Sequence, residues 1–122
     1  MSAFGELTGG RLRALFCIGL TQEFFSLPPS DIPAVGGALK AAFDDLAGRF
    51  GVRVIGTFDD DLTQVGVTTG FPWTAYILAE VPDLDAVIEV TNLLRGPCGD
   101  AKLFRYFRIE ARLGHELFFG TA

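Results

Sequence analysis

Three adjacent acids, Asp59, Asp60 and Asp61, follow directly on the strand-like run "VRVIGTF" at residues 52–58. Such a run suits a cation site, an acid/base pair or a solvated turn. A magnesium or calcium site needs several oxygen ligands at staggered offsets, and neighbours in an extended chain point to opposite sides. The run also lacks the glycine and distal glutamate of an EF-hand loop, so no metal is expected. Asp60 and Asp61 read as turn residues, since aspartate bonds nearby backbone where φ and ψ are unusual. Asp59 differs. Strict alternation places it beside Arg53, Ile55 and Thr57, where a carboxylate raised in pKa by burial would act as a general base. His115, the sole histidine, stands in "RLGHEL". It reads as a surface or interface residue, or as a proton shuttle at a cavity mouth. One histidine cannot build a zinc site with scattered acids, nothing supports haem ligation, and no cofactor is expected.

A second constellation lies toward the C-terminus. Tyr106, Arg108 and Glu110 share one side of an alternating stretch, and Tyr76 and Thr74 share the matching side of an earlier one. Either Arg108 and Glu110 form a supporting ion pair, or Arg108 holds a substrate carboxylate while a tyrosine hydroxyl donates to a ring substituent. The candidate catalytic residues are therefore Asp59, Tyr76 and His115. The candidate substrate-binding residues are Arg108, Tyr106, Glu110, Arg53 and Thr74. Cys17 shares the inward parity of Leu15 and Gly19, and without a nearby histidine it reads as inert. No nucleophile elbow, Walker A loop or Rossmann fingerprint is present.

The elements that position these groups follow from periodicity. "RLRALFCIGL" at 11–20 is a strand with Leu12, Ala14, Phe16 and Ile18 on one face. "TQEFFSLPPSDIP" is a loop whose Phe24 and Phe25 form a lid or an interface patch. A helix is expected over 33–50, capped by Ser30 or Asp31 and closed by Gly51. Strand two covers 52–58, with Val52, Val54 and Phe58 on one side. "WTAYILAEV" at 73–81 is strand three, with Trp73, Ala75, Ile77, Ala79 and Val81 facing one way. A second helix begins at Asp83 and ends at Gly96, with Leu84, Val87, Ile88, Thr91 and Leu94 inward. "KLFRYFRIEARL" at 102–113 is strand four, with Arg105 snorkelling past the helices.

The 122 residues fit one domain, 1–122, and twelve phenylalanines supply a core without staples. No apolar run reaches the roughly 20 residues of a membrane helix. The start lacks signal-peptide order, so a cytoplasmic location is expected. Net charge is −5, and only two of the ten basic residues are lysines, which argues against a nucleic-acid partner.

The order β-α-β-β-α-β is the ferredoxin-like α+β topology: a four-stranded antiparallel sheet with two helices on one face. The other face carries Leu15, Ile55, Leu78 and Tyr76 among charges, too apolar to stay bare. By topology the chain resembles the dimeric α+β barrel superfamily, in which two sheets close around a small-molecule cavity. That group includes small monooxygenases, isomerases, cyclases and haem enzymes. Four segments, "LFCIGLTQEFF", "VIGTFDDDLTQVG", "FPWTAYILAEVPD" and "FRIEARLGHEL", resemble the IacB-type proteins of bacterial indole-3-acetic acid catabolism. The resemblance implies a homodimer through the sheet face and a small aromatic ligand. It leaves open a cofactor-independent enzyme or a non-catalytic accessory protein. A face used only for dimerisation would be nearly all apolar, and this one is not.

Overall fold

The computed structural model describes residues 12–67, 72–95 and 102–117. Its strands are β1 (Leu12–Leu20), β2 (Arg53–Asp59), β3 (Trp73–Val81) and β4 (Phe107–His115). They form one sheet in the order β2-β3-β1-β4, with every neighbouring pair antiparallel. The helices are α1 (Gln22–Phe25), α2 (Ile32–Ala42), α3 (Leu46–Phe50), α4 (Leu84–Thr91) and α5 (Leu103–Tyr106). This is the ferredoxin-like α+β fold expected from the element order.

Both core clusters draw their strand residues from one sheet face. One joins Ala14, Phe16, Ala79 and Val81 to Leu46, Val87 and Val90. The other joins Ile18 and Phe107 to Val35, Ala42, Leu94 and Leu103. Alternation thus places the helices correctly over β1 and over β3 from Ala75 to Val81. Trp73, expected on the helix side, is corrected: a register shift between Ile18 and Gly19 leaves Thr74 extra and pairs Trp73 with Gly19 on the open face. The opposite face, with Leu15, Tyr76 and Leu78, belongs to neither cluster.

Several local expectations are corrected. The helix expected over 33–50 breaks at residues 43–45, where Asp45 adopts a left-handed conformation (φ 50°) and its carboxylate accepts the Gly48 N–H at 3.1 Å. Arg49 closes the break by donating to the carbonyls of Ala42 and Asp44, each at 2.8 Å. Gly51 ends α3 at φ 71°, as its position suggested. The expected loop after β1 opens with a helical turn, and Phe24 packs on Phe107 at 5.6 Å between ring centroids. In α4, Asp83 is the N-cap and accepts the Ala86 N–H at 2.9 Å. The buried residues of α4 are Ala86, Val87 and Val90; Leu84 and Ile88, expected inward, are exposed. Its C-terminus continues as a 3-10 turn, Asn92–Leu94, and the expected stop at Gly96 lies outside the described residues.

β2 brings the correction that matters most for function. Val54 pairs with Ala79, but the next register partner is Gly56 with Leu78, so Ile55 is an extra residue in a β-bulge. A bulge reverses the facing of everything beyond it. β2 is an edge strand, where bulges are tolerated because only one ladder is interrupted. Beyond it, Phe58 lies opposite Tyr76 and Asp59 opposite Ala75. Asp59 therefore points to the helix side, not to the open face with Arg53.

Candidate functional site

Register assembles a row of side chains across the open face. Phe58 pairs with Tyr76, Tyr76 with Cys17, and Cys17 with Glu110. One step along lie Leu78, Leu15 and Arg112, with Gly56 at the β2 end. The row combines an aromatic pair, a thiol and a carboxylate, with a guanidinium alongside.

Asp60 completes the row. Its N–H bonds the Thr74 carbonyl at 3.0 Å, which extends the β2–β3 pairing one residue past Asp59. That brings the Asp60 carboxylate to the open face, where Oδ2 accepts the Tyr76 hydroxyl at 3.0 Å. The Trp73 carbonyl lies 3.2 Å from the same hydroxyl. Both neighbours are pure acceptors here, so they occupy the tyrosine's one proton. A hydroxyl so engaged presents its lone pairs to anything that docks on the face. Phe58 stacks against Tyr76 with ring centroids 5.9 Å apart and is 63% exposed. A large aromatic ring left wet beside a fixed polar group is what a planar ligand would cover.

The electrostatics keep both protons of this cluster in place. Burial pushes the Tyr76 hydroxyl above its ordinary pKa, and the bond and charge of Asp60 add to that. Burial likewise raises the Cys17 thiol; Arg112 lowers it and Glu110 raises it further. Cys17 is buried, at 2% exposure. A protonated, covered thiol is a poor nucleophile.

The remaining candidates separate. Thr74 is half-buried, with its hydroxyl directed at the Ile18 carbonyl at 3.5 Å. Glu110 pairs with Arg112 (2.9 Å) rather than with Arg108. Arg53 is bonded to Glu80 at the far end of the face. Tyr106 ends α5, not a strand, and packs against the second core cluster. The residues "LFRY" make one helical turn because Leu103 and Phe107, four apart, are both buried on its inner side. Arg105, in that turn, pairs with Glu23 at 3.4 Å instead of crossing the helices. Arg108 curls back to donate to the carbonyls of Phe104 (2.7 Å) and Phe107 (3.2 Å), away from Tyr76. His115 lies opposite Leu12 and Asp59 lies in the Ile18 row. Six residues at roughly 3.3 Å each put these two about 20 Å apart, too far to share a proton. Among the described residues no group of three or more His, Cys, Asp or Glu could hold a metal ion, and no helix is long and apolar enough to cross a membrane.

Sequence reasoning missed Asp60 and Phe58. The signal was Gly56: an isolated glycine in a strand pattern marks a bulge.

No protein-family profile and no curated protein matches the chain. Among solved structures, it is similar to one described as a candidate chlorite dismutase, with 19% identity and a TM-score of 0.50. That match covers 86% of this chain but only 44% of the other. It is also similar to a dimeric protein of ferredoxin-like fold and unknown function from Bacteroides fragilis, with 13% identity and a TM-score of 0.50. Here 89% of this chain and 99% of the other are covered. At these identities the similarities establish the fold, the ferredoxin-like α+β class, and nothing about chemistry.

Proposed function

We propose that the chain pairs with a second copy through its open sheet face, and that the enclosed cavity binds a small planar aromatic molecule carrying an N–H or O–H donor. One observation carries the reading: the Tyr76 hydroxyl, with its proton given to Asp60, presents a lone pair next to the exposed Phe58 ring. The ring of the ligand covers Phe58, and its donor is accepted by Tyr76. A ligand carboxylate falls within the reach of Arg112, which Glu110 orients. The four sequence segments resembling IacB-type proteins support an indole-3-acetate-type compound. The dimeric state of the Bacteroides fragilis neighbour supports the pairing.

Asp60 is the group positioned to accept a proton if binding leads to reaction, in place of Asp59. Calorimetry with indole-3-acetate and its N-methyl analogue tests the binding reading. Removing the ligand donor should weaken wild-type binding by about tenfold, the worth of one hydrogen bond with an unsatisfied partner left behind. In Tyr76→Phe the two ligands should bind alike. Equal affinity of both ligands for the wild type would refute the assignment of Tyr76. Turnover of indole-3-acetate by the wild type, abolished in Asp60→Asn, identifies an enzyme; binding without turnover identifies an accessory protein.

A further inference from the structure

The relocation of Arg108 exposes a second feature, distinct from the open face. A cavity of about 710 Å³ lies between β4, the end of α4 and the turn α5. Its size falls within the roughly 300–1,000 Å³ of small-molecule sites. Leu94 and Phe107 are almost fully buried beneath it, Ile109 is half-buried, and Phe104 is half-exposed beside them. Among the described residues, the charged side chains in its lining are Arg95 and Arg108, with no carboxylate beside them.

We propose that this cavity is a binding site for a monocarboxylate on an apolar body, recognised jointly by Arg95 and Arg108. The chain as a whole is negative, so two guanidiniums gathered with no acid among the described lining residues form a local reversal of its field. Arg108 is pre-positioned. One Nη donates to the Phe104 and Phe107 carbonyls, which fixes the plane of the fork and leaves its other N–H groups for a ligand. Arg95 has no side-chain partner among the described residues. A fixed fork with a neighbouring charge matches the two oxygens of a carboxylate. The apolar floor selects for the body: a polyphosphate would leave it wet, whereas an aryl or alkyl chain covers Phe104 and fills the space above Leu94. This site shares no residue with the Tyr76–Asp60 cluster and stands or falls apart from it.

The probes are 2-naphthoate, its neutral twin 2-naphthamide, and octanoate, titrated by calorimetry into the full chain. The wild type should bind both acids, and 2-naphthamide at least about tenfold more weakly. Arg95→Met and Arg108→Met should each weaken the acids by about tenfold or more while leaving the amide nearly unchanged. Arg95→Lys should fall between, since it keeps charge but loses the fork. Tyr76→Phe should leave octanoate binding unaltered, which separates this site from the open face. Arg108→Met loses two bonds to backbone; should it fail to fold, Arg95→Met, which loses none among the described residues, still decides. The proposal is overturned if neither acid binds at millimolar concentration, or if acid and amide lose equally in Arg95→Met. It is also overturned if Arg95→Met changes the sedimentation coefficient rather than ligand affinity, which would make the patch a contact between copies.

Discussion

The hydroxyl of Tyr76 holds one proton, and Asp60 and the Trp73 carbonyl compete for it. Ionising Tyr76 would place a phenolate against a carboxylate in a half-buried position, so the folded state retains that proton to higher pH than the unfolded chain. Cys17 behaves the same way for the same first cause, burial. The sign follows. Below the unfolded values the contribution to stability is fully present. Above them the unfolded chain binds fewer protons than the folded one, so stability falls as pH rises. The loss should begin above about pH 8.5 through Cys17 and steepen above about pH 10 through Tyr76. Urea midpoints measured from pH 7 to 11 should show this decline, shallower above pH 10 in Tyr76→Phe. An unchanged slope in that variant would mean that the phenol is free to ionise. Asp59→Asn and Asp60→Asn divide the same cluster. Asp59 is exposed on the helix side of an edge strand, and its change should move stability by less than about 0.5 kcal/mol and leave ligand binding intact. Asp60→Asn should weaken binding of an indole donor, because the amide no longer holds the Tyr76 proton as a charged acceptor does.

One extra residue in an edge strand decides which acid meets the tyrosine. Alternation along "VRVIGTFDD" is unbroken as text, and it sends Asp59 to the open face. Ile55 in the bulge sends Asp60 there instead. The even-numbered face of β1 and the odd-numbered face of β3 from Ala75 to Val81 were legible because those strands are central, and one side of each is packed against helices; Trp73 was not, because the register shifts next to it. β2 has no such constraint along its length: every residue from Arg53 to Asp59 is exposed, so hydrophobic pattern could not set its register. The turn "LFRY" was illegible for a related reason, since a run rich in aromatics fits a strand and a buried helical turn equally. Two glycines test the local reading with opposite signs. Gly51 has φ 71°, and an added Cβ would meet Pro82 only at ordinary contact, 3.5 Å. The cost of Gly51→Ala is therefore backbone strain, about 1–2 kcal/mol of lost stability. Gly37 lies inside α2 with nothing within 4 Å of an added Cβ. Gly37→Ala should stabilise by about 0.5–1 kcal/mol. Chemical denaturation of the two variants checks both; a stabilised Gly51→Ala would show that the α3–β2 junction is not held left-handed.

At the scale of the molecule, the described helices cover one side of a four-stranded sheet, and the other side has a definite character. Its middle holds Phe58, Tyr76, Leu78 and Leu15. Around them lie the ion pairs Arg53–Glu80, Arg13–Glu116 and Glu110–Arg112. An apolar centre inside a charged rim is the anatomy of an interface that also encloses polar groups. A second copy brought face to face would bury the exposed Phe58 ring and shut Tyr76 and Asp60 away from solvent. The most direct test is sedimentation velocity of the wild type and of Phe58→Glu at micromolar concentration, with circular dichroism to confirm that the variant folds. A wild-type dimer and a folded Phe58→Glu monomer are the predicted result. A monomeric wild type, or a Phe58→Glu dimer as tight as the wild type, would contradict the pairing of the open faces.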